Sequence, residues 1–162
     1  MQADAHVEIV EAAPAKLPDF SGTWIKDHAA SDSMDAAMAL VHLNGITRTG
    51  IRLIRGLKLS LDESHFAFTV FSVIGCIKIT ERYSLCEPSL QRRRDLRRGK
   101  CRNVARLTPR GSVVIEYDWD APYAGNGRDE LQLDDQGRLI YDCTVVVDGQ
   151  TAGYRQVYHR KS

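Results

Sequence analysis

The sequence predicts a mainly β protein: a single antiparallel up-and-down β-barrel with a two-helix lid between its first two strands. Three observations carry this. Helical periodicity is confined to the stretch from Ser31 to Gly56. Beyond Gly56 the pattern switches to period two and stays there to the end of the chain. The strand-like runs are short, evenly spaced and uninterrupted by helices, which favours closure, because a closed barrel has no free sheet edge to template aggregation. A two-sheet sandwich is the alternative architecture.

Residues 1–19 form the expected N-terminal tail. Asp4, Glu8 and Glu11 interrupt it and no continuous apolar stretch develops, so it reads as neither a secretory signal nor a transit peptide. Residues 20–162 make the expected barrel domain. Phe20 to Lys26 forms a first strand opened by a glycine turn at Gly22. Ser31 or Ser33 is placed to cap a helix in which Met34, Ala37, Met38 and Val41 recur at three- and four-residue spacing. Asn44 and Gly45 break it. In the second helix, Ile51 and Ile54 share one side while Arg48, Arg52 and Arg55 share another.

Strand-like runs follow at Leu57–Leu61, His65–Ser72, Cys76–Leu85, Cys101–Leu107, Ser112–Trp119, Arg128–Leu133, Arg138–Val146 and Thr151–Arg160. Turn residues separate them, among them Asp134 to Gly137 and the Asp148-Gly149 pair.

With 162 residues the chain is the size of one domain, and 22 Lys plus Arg against 21 Asp plus Glu leave net charge uninformative about partners. No run of about 18 apolar residues is present to span a bilayer as a helix. Cys76, Cys86, Cys101 and Cys143 form no C-x-x-C pair, arguing against a zinc knuckle or a thioredoxin-type centre. Without a secretory signal, free thiols and a cytoplasmic location are expected. Monomeric behaviour is expected too.

The five histidines have no metal-ligand spacing, and neither a G-x-S-x-G elbow, a Walker loop nor a Rossmann glycine pattern occurs. The expectation is therefore no enzyme, no metal and no cofactor. The basic run containing Arg92, Arg93, Arg94, Arg97, Arg98, Lys100 and Arg102 admits three readings: a solvated face, an anionic membrane contact, or a nuclear-import or RNA contact. No aromatic residue interleaves to stack bases, so nucleic acid is not expected. Arg48, Arg52 and Arg55 beside Arg97 and Arg98 would make the membrane-facing set.

The order of parts, with Gly22-Thr-Trp24 first, a helical pair, then hairpins ending in Gly137-Arg-Leu-Ile-Tyr-Asp-Cys143 and Tyr154 to Arg160, resembles the intracellular fatty-acid- and retinoid-binding proteins of the calycin superfamily. Tyr117-Asp-Trp119 resembles the end of another strand of that family. The resemblance implies about ten strands, the unread one falling in Cys86 to Asp95, where Pro88 and the arginines give poor strand propensity. It implies binding and transport of a fatty acid, retinoid or other lipid in the lumen, with the helices as portal. A calycin-type lyase or isomerase with an interior Tyr and Glu is the alternative, recognisable by an ionisable residue of shifted pKa at the cavity floor.

In that family an Arg-x-Tyr pair on the last strand clamps the ligand carboxylate. The matching register here gives Gln156-Val157-Tyr158, with Arg155 on the opposite face, and a second interior arginine aligns with Gln132. Glutamine suits a hydroxyl or carbonyl better than a carboxylate, so a neutral head group is expected. Plain alternation would instead put Leu131 and Leu133 inside and leave Gln132 in solvent. Tyr141 alternates with Asp142 and would line the wall, and Met34 and Met38 would reach in from the lid, or pack as core. Arg160 shares the parity of Tyr158.

Overall fold

The computed structural model describes residues 16–75 and 78–162. Most of the expected tail, and Cys76, lie outside the described residues. Ten antiparallel strands form one sheet in the order β4-β3-β2-β1-β10-β9-β8-β7-β6-β5. They are β1 (Gly22–Asp27), β2 (Ile54–Leu61), β3 (His65–Ser72), β4 (Lys78–Ser84), β5 (Ser89–Arg92), β6 (Lys100–Leu107), β7 (Val113–Trp119), β8 (Gly125–Leu133), β9 (Leu139–Val147) and β10 (Gln150–Arg160). The sheet curls into a nearly closed barrel, and β4 and β5 face each other without a hydrogen-bond ladder. Side chains span that seam: Gln91 Nε2 donates to the Arg82 carbonyl, and Arg94 ion-pairs with Glu81.

The strand absent from the propensity reading is β5. It has four residues, pairs only with β6, and begins just after Pro88. An edge strand of that length tolerates exposed arginine and a neighbouring proline. The hairpin between β9 and β10 turns on Asp148 (φ 51°) and Gly149 (φ 73°), both left-handed, as a two-residue turn matched to strand twist requires.

Two helices connect β1 to β2: α1 (Asp35–Leu40) and α2 (Gly45–Arg52). Neither Ser31 nor Ser33 caps α1, whose N-cap position is Met34 with no capping side chain. Ser31 Oγ is occupied elsewhere, donating to the Asp27 carbonyl and accepting from Val157 N–H. Ser33 Oγ accepts from Asp35 N–H. Asn44, expected only as a breaker, caps α2 by accepting from Thr47 N–H at 2.8 Å. That helix ends at Arg52, so Ile54 and Arg55 belong to β2 and the three arginines do not form one helical stripe.

The barrel is filled at one end and open at the other. Phe20, Trp24, Leu59, Phe66, Val113, Leu131 and Leu139 close the end away from the lid, with Trp24 Nε1 donating to the Phe20 carbonyl at 2.8 Å. Against the lid end, Ala37 of α1 packs with Cys143 and Val145 of β9, and Leu40, Val41 and Tyr154 extend the contact. Cys86, Cys101 and Cys143 are free thiols.

Candidate functional site

Between the lid and the middle of the barrel lie two adjoining lobes that share Met34, Ile51, Arg94 and Tyr154 as walls. The smaller, of about 140 Å³, lies under α1 against Met38, Cys143 and Val145. The larger, of about 410 Å³, runs along β1, β3 and β10 against Leu57, Phe68, Val70 and Tyr158. Its volume alone is in the range of small-molecule sites, and most of its walls are apolar.

The floor is polar, and its centre is Arg94. This residue follows β5, and its side chain lines both lobes instead of facing solvent. Nε and Nη2 donate to Glu81 at 3.0 and 2.8 Å, while Nη1 donates to Asp129 at 2.7 Å. The guanidinium also lies 4.5 Å from the centre of the Tyr117 ring. Tyr117 and Tyr141 donate to Asp129 at 3.1 and 2.9 Å, and Tyr83 donates to Glu81. Asp129 has no exposed surface and Glu81 almost none. Two buried carboxylates thus share one cation and a ring of hydroxyls, which offsets their loss of water.

The electrostatics lock these groups. Burial by itself would raise Glu81, but the charge and hydrogen bonds of Arg94 outweigh it and hold the carboxyl below its ordinary range. Burial, reinforced by Asp129, keeps Tyr117 and Tyr141 protonated far above the usual phenol value. Cys143 is pushed up to about 12 and Cys101 to about 11, again mainly by burial.

The loop from Arg93 to Gly99 folds across the mouth. Arg93 is buried, bonds the carbonyls of Asp120 and Pro122, and pairs with Asp95 at 2.6 Å. Arg97 reaches the lid, donating to the Val41 and His42 carbonyls, and stacks over Tyr123, which also stacks on His42. The basic run is therefore not one solvated face. Arg93, Arg94 and Arg97 are structural, whereas Arg98 stays exposed. Arg52 is paired with Asp35, and Arg48 Nε donates to the Leu43 carbonyl.

The expected site residues divide as follows. Met34 and Met38 project from the lid into the cavity. Tyr141, Gln156 and Tyr158 face the lumen in the larger lobe. Gln156 Nε2 donates to the Asp32 and Arg155 carbonyls, tying the β1–α1 connection to β10, so only its Oε1 is left over. That oxygen is buried and has no hydrogen-bond partner. Burial raises the Tyr158 phenol, and its hydroxyl has no partner among the described residues.

Gln132 is a correction: it shares the outer face of β8 with Arg128 and Glu130, and the interior polar residue of that strand is Asp129. Leu131 and Leu133 face the core, as plain alternation requires. Arg155 points outward to Asp142. Arg160 is committed at the filled end, where it bonds the Ser21 and Asp19 carbonyls and covers the Trp24 ring at 4.4 Å.

Sequence reasoning missed Glu81, Arg94, Asp129, Tyr154 and Lys26. Lys26 carried a signal: two residues after the buried Trp24, it has inward parity on β1, and it lines the larger lobe opposite Tyr158.

No protein-family model matches the chain, and no curated protein sequence does. The fold is one shared with solved structures of other proteins. The chain is similar to the structure of the REP1-NXSQ fatty acid transporter (TM-score 0.69, 13% identity, 89% of this chain and 97% of that one). It is also similar to apo lipid binding protein 8 of Caenorhabditis elegans (TM-score 0.72, 15% identity, 91% of this chain and all of the other).

Proposed function

We propose that this protein binds and carries an apolar, lipid-like molecule in the lid half of the barrel, its chain against Met34 and Met38 and its polar end at Gln156 and Tyr158. The observation that carries the reading is the orphaned Gln156 Oε1, a buried acceptor on a residue that lines the lobe of about 410 Å³. Leaving such a group without a donor costs on the order of 1–3 kcal/mol, which a guest can recover. Tyr158 supplies a free hydroxyl beside it. Gln156 alone selects a neutral donor such as a long-chain or isoprenoid alcohol. That one similar structure is of a fatty acid transporter and the other of a lipid binding protein accords with an apolar guest.

An enzyme on this scaffold would be signalled by shifted ionisable groups at the floor, and shifted groups are present. Their directions favour binding instead. General acid–base chemistry near neutral pH needs groups moved toward pH 7, whereas Glu81 is held ionised and the tyrosines are held protonated.

The natural setting we propose is the cytoplasm, as a monomer, with transient docking on anionic membranes through Arg48, Arg55 and Arg98 at the lid end. Native mass spectrometry of protein purified from its own cells tests the function. A co-purifying small molecule of lipid mass, released on unfolding, is the expected result. A chain that stays empty and takes up neither long-chain alcohols nor acids in vitro refutes it.

A further inference from the structure

The charges inside the barrel are unequally paired. Arg93 is held by Asp95, and Arg94 by Glu81 and Asp129. Lys26 stands apart from all of them. It sits directly across the β1/β10 ladder from Tyr158 and lines the larger lobe with Gln156 and Tyr158. Among the described residues its ammonium has neither a carboxylate within ion-pair distance nor a hydrogen-bond acceptor. Burial already moves its pKa downward, with no opposing charge to offset that loss of solvent.

Filling the lobe with an apolar guest would expel the water that now solvates this ammonium. An alcohol head group could donate to Gln156 Oε1 and accept from Tyr158, yet it would leave the cation stripped and unpaired. Uncompensated burial of a charge is among the costliest events in a protein interior. A carboxylate gives the ammonium a counter-charge and the Tyr158 hydroxyl an acceptor at once. The ammonium has three N–H donors to offer the acid, and the Tyr158 hydroxyl donates to the same acid. The floor cannot do this, because Arg94 already faces two carboxylates.

Resting on the reading that the lumen holds an apolar guest, we propose that Lys26, with Tyr158 beside it, is the anchor of an ionised head group, and that the ligand is a long-chain carboxylic acid. Gln156 brings no charge, and by itself it fits a neutral head group. The cation comes from β1 instead.

Displacement of a fluorescent lipid probe from the full chain at pH 7, by a long-chain acid and by the alcohol of the same length, tests the assignment. Because a hydrogen-bonded ion pair is worth more than a neutral contact, the acid should bind about tenfold tighter than the alcohol or better. Lys26→Met should erase that advantage while leaving alcohol affinity within about threefold, and Lys26→Arg should retain it. Unchanged melting temperatures of both variants exclude misfolding as the cause. Equal binding, preference for the alcohol, or intact acid affinity in Lys26→Met overturns the Lys26 assignment and leaves the neutral-guest reading standing. Failure of both acid and alcohol to displace the probe from the native protein overturns the apolar-guest reading, and the assignment with it.

Discussion

Replacing Arg94 by methionine removes the one cation between Glu81 and Asp129 and keeps much of the side chain's apolar volume. Four hydrogen bonds of the guanidinium vanish, those of 3.0 and 2.8 Å to Glu81, of 2.7 Å to Asp129 and of 3.3 Å to the Tyr83 hydroxyl. Two carboxylates with almost no exposure then remain with only tyrosine hydroxyls as donors. Breaking a buried pair by removing one partner costs roughly 3–5 kcal/mol, and because Arg94 keeps 30% of its side-chain surface open, the lower value of about 3 applies. For a domain of this size that lowers Tm by roughly 6–12 °C. The pH dependence identifies the cause. In the native protein Glu81 is held below its ordinary 4.5, so its contribution is fully present above that value and is lost as pH falls through the lowered one. In the variant Glu81 loses its counter-ion and titrates higher, so its protonation relieves the strain and the gap to the native protein narrows from pH 7 toward about 5. Thermal denaturation across that range, monitored by circular dichroism, measures it, and adding Glu81→Gln and Asp129→Asn should restore most of the loss. A Tm within about 2 °C of native at pH 7, or a gap that does not change with pH, refutes the account.

Arg97→Ala removes the tie to the Val41 and His42 carbonyls and the stack on Tyr123. Hydrogen exchange should accelerate in α1 and in residues 41–44 while global stability falls by no more than about 1 kcal/mol, and uniform acceleration across the barrel would show that the residue does not act on the lid locally. Vesicle co-sedimentation should show stronger binding to anionic than to neutral lipid, weakened by salt and by Arg48→Gln with Arg55→Gln; insensitivity to ionic strength rules out the electrostatic contact.

The architecture was legible because it rests on local pattern. Glycine turns, period-two alternation and the single helical window located nearly every element, and the same alternation put Gln156, Tyr158 and Tyr141 on one interior and Arg155 outside it. The floor was illegible for a tertiary reason. Arg94 looks like its neighbours Arg92 and Arg98, and only the path of the chain after β5 turns it inward. Glu81 and Asp129 look like ordinary strand charges until Arg94 stands between them. Gln132 went astray because alignment to a family register was followed where the flanking Leu131 and Leu133 already gave the face. Lys26 could have been found by the same counting that placed Trp24, since both share one side of β1.

The seam between β4 and β5 sets a mechanical property of the whole barrel. A ring sealed all round by a backbone ladder has a circumference fixed by its register, and widening it means breaking rungs. Among the described residues the circle is completed here by two side chains, Gln91 on the Arg82 carbonyl and Arg94 on Glu81 and the Tyr83 hydroxyl. Both closures can lengthen or let go while all nine ladders of the sheet stay intact. The girth is therefore adjustable like a split collar, and since the clasp residue Arg94 is also part of the cavity floor, a bulky guest pressing on that floor acts directly on the clasp.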